Sequence, residues 1–175
     1  MNVIISVNPP YSKMIFTKYK PVEFRNRVLK GMDTGYPLED ILAYIYETKN
    51  KGGSGKVIGE VIISGAHSLH YRDKKYPDTA LVKNRSYFIK ELYLYWCNLK
   101  GITPNLNEGW FKSKKFYAYE KEIGLYGDDD FLDCNYALIL DDPILYDEAK
   151  SLTAFRTLKG IPITRPPQNM YRIAE

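Results

Sequence analysis

The stretch KPVEFR, residues 20–25, alternates charged and apolar side chains and predicts a short, half-buried β-strand. Successive side chains of a strand point to opposite faces of the sheet, so we expect Glu23 and Arg25 on one face and the valine and phenylalanine on the other. The proline suits the first residue of a strand, which leaves Lys20 in the preceding turn. A carboxylate between two cations stays ionised and holds both of them in place. The stretch therefore predicts a small polar cleft suited to a base or a phosphate.

The segments that flank this stretch read as further strands. Before it, a strand at 3–7 is followed by two prolines, which open a short helix at 11–17. After it, β-branched and aromatic residues predict buried strands at 41–46 and 57–63, and a glycine-rich hairpin tip joins them. The first third of the chain is therefore expected to supply most of a sheet.

The middle of the chain predicts helices, and the end predicts strands again. Strands early, helices in the middle and strands late indicate a mixed barrel with helical decoration. The expected elements are a helix capped at Asp78 or Thr79 and ended by Gly101, a second helix after Pro104, strands at 135–140 and 143–146 around Asp141 and Asp142, a short helix from Ser151 to Gly160, and a closing strand at 171–174.

The order of a strand, a proline-led helix and the KPVEFR strand resembles the ASCH domain, a member of the PUA-like barrel superfamily. The motif of that family is written GxKxxExR. Lys20, Glu23 and Arg25 match this motif, and Lys18 stands where the glycine is expected. The segment RPPQ at 165–168, followed by a tyrosine, is similar to the ending of many phage and bacterial ASCH proteins. The resemblance therefore implies a phage or bacterial protein of the α+β class, with a PUA-like mixed β-barrel and helical decoration.

The resemblance also implies a domain organisation and a function. Residues 1–175 would form a single ASCH/PUA-like domain, with a helical and loop insertion at about 66–130. In PUA-like barrels the strand that carries this motif lines the cleft that receives the nucleic acid. We therefore expect the chain to bind RNA or a modified nucleobase. The residues expected to bind it are Lys18, Lys20, Glu23, Arg25, Arg27, Arg165 and Gln168.

The RPPQ segment has a second interpretation. Its two prolines hold the chain extended and leave Arg165 and Gln168 free for polar contacts with phosphate or with a base edge. The same prolines would also make a stiff connector before the last strand, and the sequence favours neither interpretation.

An enzyme that uses the same cleft is the alternative function. Some ASCH proteins are amidohydrolases of N4-acylated cytidine that use a lysine, a threonine three residues later and a distant glutamate, and others are ribonucleases. Lys20 and Glu23 would be the catalytic residues of such an enzyme. Glu23 occupies the threonine position, however, and a carboxylate cannot take over the role of a hydroxyl without a change of mechanism. We therefore expect no amidase activity on N4-acetylcytidine.

Charge is distributed unevenly along the chain, although the net charge is only +4. Cations prevail in residues 1–35 and 72–121, while 122–150 carries nine acidic residues against Lys150 alone. Basic surfaces attract phosphate backbones, but solvated faces explain single charge runs as well. The acidic region gives a third hypothesis, a phage accessory protein that binds a host protein. Without an apolar run of membrane-spanning length or a secretory signal, the chain is expected in the cytoplasm and away from membranes.

Other candidate sites have ordinary explanations. His67, His70 and Asp73 follow no strong zinc pattern, and Asp128–Asp130 with Asp133 reads as a solvated acidic loop rather than a magnesium site. Trp110 and Phe111 among lysines could stack on bases, although aromatic residues of a helix more often pack into the core. We expect no metal and no cofactor.

Overall fold

The structure, a computed structural model, describes residues 1–32, 41–68 and 136–174, together with short pieces of the segment between the last two ranges. The chain divides into two compact units, one formed by residues 1–67 and 136–175 and the other by 68–135. The single ASCH/PUA-like domain over residues 1–175, with an insertion at about 66–130, stays a prediction from the sequence. The short pieces are residues 90, 93–94, 96–98, 100–104, 106–107, 114–115 and 118.

The first unit contains a mixed, six-stranded sheet in the order β2-β5-β4-β3-β1-β6. Strands β1 and β3 pair in parallel, while the β1–β6, β2–β5 and β3–β4 pairs are antiparallel. The elements are β1 (Asn2–Val7), α1 (Tyr11–Phe16), β2 (Val22–Arg25), β3 (Ile41–Glu47), β4 (Val57–Ser68), β5 (Tyr136–Lys150) and β6 (Met170–Ile173).

The sheet is curled, because hydrogen bonds join the regions of its two end strands, β2 and β6. The side chain of Asn169, just before β6, donates to the carbonyl of Arg27, just after β2, at 2.5 Å. Arg172 in β6 donates to the carbonyl of Lys30 at 3.0 Å. Such contacts require the ends of the strand order to approach each other, as in a partly closed barrel. The fold agrees with the expected α+β, PUA-like mixed barrel, and helix is a minor component of the described residues.

The curled sheet buries apolar side chains on both faces. The inner face, lined by Val3, Ile5 and Ile45, shares one apolar cluster with Ile15 of α1. The outer face carries a second cluster, in which Ile4 and Tyr46 of the sheet pack with Leu152 and Ile163 of the segment after β5. Alternation along β1 explains the division, because odd-numbered residues point inward and Ile4 points outward.

Two predictions about the C-terminal part are wrong. Residues 136–150 form one long strand rather than a pair of strands around Asp141 and Asp142. Asp142 adopts a φ of 46°, but this irregularity is confined to one residue and the strand continues past it. Ser151 caps only a three-residue 3-10 turn, Leu152–Ala154. The chain after it is extended, with a bridge between Arg156 and Pro162, so no helix reaches Gly160.

The described part of the second unit contains the end of the predicted long helix. Ile102 N–H donates to the Cys97 carbonyl at 2.8 Å and Gly101 N–H donates to the Asn98 carbonyl at 3.2 Å. With a φ of 63° at Gly101, these bonds form a Schellman motif, which confirms that the helix ends at this glycine. Of the helices within the described residues, none combines the length and the apolar character that a membrane span needs.

Candidate functional site

The turn that precedes β2 is fixed by backbone hydrogen bonds on both sides. Lys20 N–H donates to the Met14 carbonyl in α1 at 3.1 Å, and Leu140 N–H of β5 donates to the Pro21 carbonyl at 2.9 Å. Between them, Lys18 adopts a φ of 61°, the left-handed region that glycine occupies without steric cost. This conformation explains why the family motif has a glycine here.

Strand alternation brings the three motif side chains together. Glu23 and Arg25 lie opposite Leu138 and Tyr136 of β5, and therefore on one face of β2. The Oε2 atom of Glu23 is 2.9 Å from the Lys20 ammonium, and its Oε1 atom is 2.9 Å from Nη2 of Arg25. We call Lys20, Glu23 and Arg25 the ion triad. Their convergence was the main expectation from the KPVEFR stretch.

The ion triad is largely buried, so water screens its charges only weakly. The exposed fraction is 7% for Lys20 and 8% for Glu23. Burial would raise the pKa of Glu23, but the charges of Lys20 and Arg25 and their hydrogen bonds outweigh it and hold that pKa below its ordinary value of 4.5. Glu23 is therefore ionised at neutral pH, and the triad carries one net positive charge.

Lys20 is held by three kinds of contact. Besides Glu23, its ammonium donates to the carbonyl of Val22 at 2.9 Å. It also lies 5.4 Å from the ring centre of Phe24 and 6.0 Å from that of Tyr11, within the range of cation–π attraction. Both Tyr11 and Phe24 are half-buried.

Arg25 spans the gap between β2 and the other edge of the curled sheet. Its Nη2 donates to the Ser6 carbonyl of β1 at 2.6 Å, and its Nη1 donates to Oδ1 of Asn169 at 3.4 Å. Its Nε is buried and meets no hydrogen-bond partner among the described residues. A buried donor without an acceptor costs about 1–3 kcal/mol of folding free energy. The atom is therefore a candidate ligand-binding donor.

The other residues expected to bind nucleic acid are at the surface. Lys18 and Arg27 are exposed on either side of the ion triad, and Arg165 and Gln168 are exposed on the segment that leads to β6. That segment is tied to the sheet by Ser6, whose hydroxyl donates to the Pro167 carbonyl at 2.7 Å. The structure therefore brings three of the seven expected residues into one ion cluster, and the other four are exposed.

A second buried carboxylate escaped the sequence interpretation. Glu47, only 4% exposed, ends β3 and accepts from the Ser12 hydroxyl and from the Ser54 backbone N–H, each at 2.8 Å. Burial would raise the pKa of Glu47, but these hydrogen bonds, with a smaller contribution from the charge of Lys13, lower it below 4.5. The signal that the sequence offered for this buried carboxylate was an acidic residue at the end of an apolar strand.

The outer face carries a third polar group of residues. The hydroxyl of Tyr146 donates to Glu60, and the Lys150 ammonium lies 4.0 Å from the ring centre of Tyr146. Burial, the hydrogen bond to Glu60 and the charge of Glu60 raise the pKa of the Tyr146 hydroxyl well above its ordinary value. This hydroxyl is therefore a donor at physiological pH and not a nucleophile.

Several expected sites lie outside what the structure describes. This holds for Trp110, Phe111, His70, Asp73, Asp128–Asp130 and Asp133, and for the side chain of His67. Among the described residues, no three His, Cys, Asp or Glu side chains gather closely enough to hold a metal ion.

Comparisons with known proteins complete the description of the site. No protein-family model matches the chain, and no curated protein matches it. Among solved structures, the chain is similar to the ASCH protein from Zymomonas mobilis, with 16% identity, a TM-score of 0.43 and coverage of 99% of this chain and 88% of that chain. Two mutants of that protein share 18% identity and 99% coverage of this chain, with TM-scores of 0.44 and 0.48 and coverage of 91% and 89% of those chains. These three solved structures are ASCH proteins.

Proposed function

We propose that the chain binds RNA or a modified nucleobase at the ion triad. The observation that carries the proposal is the buried Nε of Arg25, a fixed donor with no partner among the described residues. Its neighbours Glu23 and Lys20 are held at 2.9 Å contacts, so a ligand would meet an arrangement that is already ordered. Binding to such a site avoids the entropic cost of ordering it.

The unused hydrogen-bonding capacity of the triad suits the edge of a base. A guanidinium has five N–H donors and an ammonium has three, so Arg25 and Lys20 retain donors beyond those used inside the protein. Each oxygen of Glu23 has a second lone pair and can accept from an exocyclic amino group. A base edge that presents both a carbonyl and an amino group matches this pattern.

The basic residues around the triad suit the phosphates that accompany a base. Lys18, Arg27 and Arg165 are exposed, so their charges are available to a phosphate backbone. Gln168 lies three residues from Arg165 on the same segment and could pair with a second base edge. We propose this role for these four residues and the cytoplasm as the place where the chain works.

The hydrolase alternative uses the same residues in other roles. The Lys20 ammonium donates to Glu23 and to the Val22 carbonyl, and an ammonium has no lone pair with which to accept a proton. The nearby Thr17 hydroxyl bonds to the Met14 carbonyl at 3.1 Å and does not replace the missing threonine at position 23. Both observations favour a binding role for the triad over a catalytic one.

The test is a panel of modified nucleosides and short single-stranded RNAs, scored for binding and for product release. Arg25→Lys keeps the positive charge but removes Nε and the planar fork, and we expect it to weaken binding by about tenfold or more. Arg156→Lys, at an exposed arginine outside the proposed binding residues, is the matched control and should leave affinity unchanged. Thermal unfolding of both variants establishes that each is folded.

Each outcome of the panel decides between the hypotheses. Equal affinities of the native chain and a folded Arg25→Lys variant would overturn the proposed site. Turnover of N4-acetylcytidine that disappears in Lys20→Ala would establish the hydrolase. Failure to bind any nucleoside or RNA would favour the hypothesis of a host-protein partner.

A further inference from the structure

The outer face of the sheet contains a groove of about 550 Å³ that is separate from the ion triad. Its floor is apolar and consists of Tyr46 and Leu152, which are 5% and 7% exposed. Its walls carry polar groups from the hairpin at 48–56, from the turn at 151–153 and from the segment that leads to β6. An apolar floor with a polar rim is the usual composition of a small-ligand site.

One wall is held in place from the N-terminal part of the chain. Oδ1 of Asn8 accepts from the Thr48 hydroxyl at 2.5 Å and from the Asn50 amide at 3.3 Å. Both of these side chains line the groove. The opposite wall has its own bond, 2.8 Å between the hydroxyls of Ser151 and Thr153. The hydroxyls on both walls are thus positioned within the protein before any ligand arrives.

The charge of the groove is positive and comes from Lys49. The aliphatic stem of Lys49 lies across Gly55, so close that a Cβ atom at Gly55 would come within 2.6 Å of it. Ion pairs within the described part of the chain are those of Glu23, so Lys49 has no carboxylate partner there. Glu47 of the adjoining strand is turned to Ser12 and Ser54 instead. The groove therefore offers one positioned cation and several neutral donors.

The segment 164–169 connects the groove to the ion triad. Its Thr164 and Pro166 line the groove, and its Asn169 accepts from Arg25. Asn169 is three positions after Pro166, which limits the distance between their Cα atoms to about 11 Å. The two sites are therefore close enough for adjoining parts of one extended ligand.

We propose that this groove binds a phosphate and its sugar, supplied by the same RNA strand whose base occupies the ion triad. The inference rests on the proposed function for the base and adds a second subsite. The Lys49 ammonium, the second N–H of the Asn50 amide and the one hydroxyl proton that the Ser151–Thr153 pair leaves over match phosphate oxygens and ribose hydroxyls, because each can donate a hydrogen bond to oxygen. The Thr48 hydroxyl already donates to Asn8 and can only accept from a ribose hydroxyl. The apolar floor accommodates the carbon face of the sugar.

The experiment compares a nucleoside, its monophosphate and a short single-stranded RNA on the full-length chain. Lys49→Gln should leave nucleoside affinity unchanged, weaken RNA binding by about tenfold and lower the salt dependence by about one phosphate contact. Gly55→Ala displaces the Lys49 stem without removing charge and should weaken RNA binding in the same direction. Because Gly55 has a φ of 66°, alanine also strains the hairpin backbone, so thermal unfolding checks that this variant is folded. Lys51→Gln on the same hairpin, outside the groove, is the matched control and should have little effect.

Outcomes separate this inference from the proposed function. Loss of nucleoside binding by Arg25→Lys together with unchanged RNA binding by folded Lys49→Gln would overturn the groove and keep the triad. RNA binding that depends on Lys49 but not on Arg25 would keep the groove and overturn the triad. Equal losses of RNA affinity for Lys49→Gln and Lys51→Gln would mean that general surface charge, rather than the groove, attracts the RNA, and would overturn the inference. Monophosphate binding as tight as RNA binding would identify a free nucleotide as the source of the phosphate and overturn the RNA assignment.

Discussion

Two buried carboxylates of the same unit are stabilised by opposite means. Glu23 is held by two cations at 2.9 Å, whereas Glu47 is held at 2.8 Å by a serine hydroxyl and a backbone N–H, both neutral. The pKa of each lies below 4.5, so both are charged at neutral pH. The neutral donors around Glu47 use its two oxygens within the protein and add no charge to the hairpin it supports.

The difference teaches which carboxylate belongs to a binding site. Around Glu23, the cations bring more donors than the carboxylate can use, and Nε of Arg25 is left buried without a partner among the described residues. An arrangement built only for stability would avoid this surplus, because an apolar replacement of a buried ion cluster is often neutral or stabilising. Glu47 stabilises the fold, and under the proposed function Glu23 would hold donors for a ligand.

Removing the charge of Glu23 should have the largest effect on stability. Glu23→Gln leaves Lys20 and Arg25 buried close together without a carboxylate, which should cost about 3 kcal/mol of the free energy of unfolding. Urea denaturation followed by circular dichroism measures the loss. A loss under about 1 kcal/mol would mean that water already screens the triad.

Glu47→Gln should cost less, about 2 kcal/mol, since hydrogen bonds to a charged acceptor are weakened but no charge is left unpaired. The same urea titration measures this loss, and Ser12→Ala serves as its partner variant. The comparison of the two carboxylates would be contradicted if Glu47→Gln proved more destabilising than Glu23→Gln.

Acid should destabilise the native chain through both groups. Their pKa values are depressed in the folded state, so their stabilisation is complete above about 4.5 and is lost as the pH falls through the folded-state pKa values. Each group contributes at most about 1.4 kcal/mol per pH unit to the slope. Glu23→Gln should show a shallower decline below pH 4.5 than the native chain, and an unchanged slope would show that Glu23 does not contribute.

Lys18→Gly should give the smallest effect, and a favourable one. Lys18 has a φ of 61° and is exposed, so glycine would relieve backbone strain without removing a packed side chain. The greater freedom of glycine in the unfolded chain offsets part of this gain. We expect about 0.5–1 kcal/mol of added stability in thermal unfolding, together with a slightly lower salt dependence of RNA binding. A loss of stability would contradict the expectation that the backbone at position 18 favours glycine, the residue that the motif has there.

The sequence was sufficient to predict the part of the site that depends on residues close together in the chain. Period-two alternation in KPVEFR places Glu23 and Arg25 on one face, and the turn before Pro21 brings Lys20 to them, because all three depend on neighbours within a few residues. The wrong assignments also have local causes. Asp141-Asp142-Pro143 carries every signal of a turn, yet β5 continues through this stretch, beyond the residues that pair with β2 and beside the neighbouring strand β4.

Long-range contacts could not be predicted from the sequence. Arg25 reaches Ser6 and Asn169, which are 19 and 144 residues away along the chain, because the sheet curls. Glu47 finds Ser12, which is 35 residues away, because β3 pairs in parallel with β1 and places Glu47 beside the last residue of β1, shortly before α1 begins. The groove on the outer face combines three separate segments, and no single one of them has a distinctive pattern.

The most direct test of the central claim is a nuclear magnetic resonance titration that follows the Nε–H signals of the arginine side chains. A modified nucleoside or a short RNA that binds should shift the Nε–H signal of Arg25, because that buried donor acquires an acceptor, and should leave the Nε–H signal of the exposed Arg27 nearly unchanged on addition of the nucleoside. If a ligand binds with measurable affinity and the Nε–H signal of Arg25 does not move, the ion triad is not the binding site and the account is wrong.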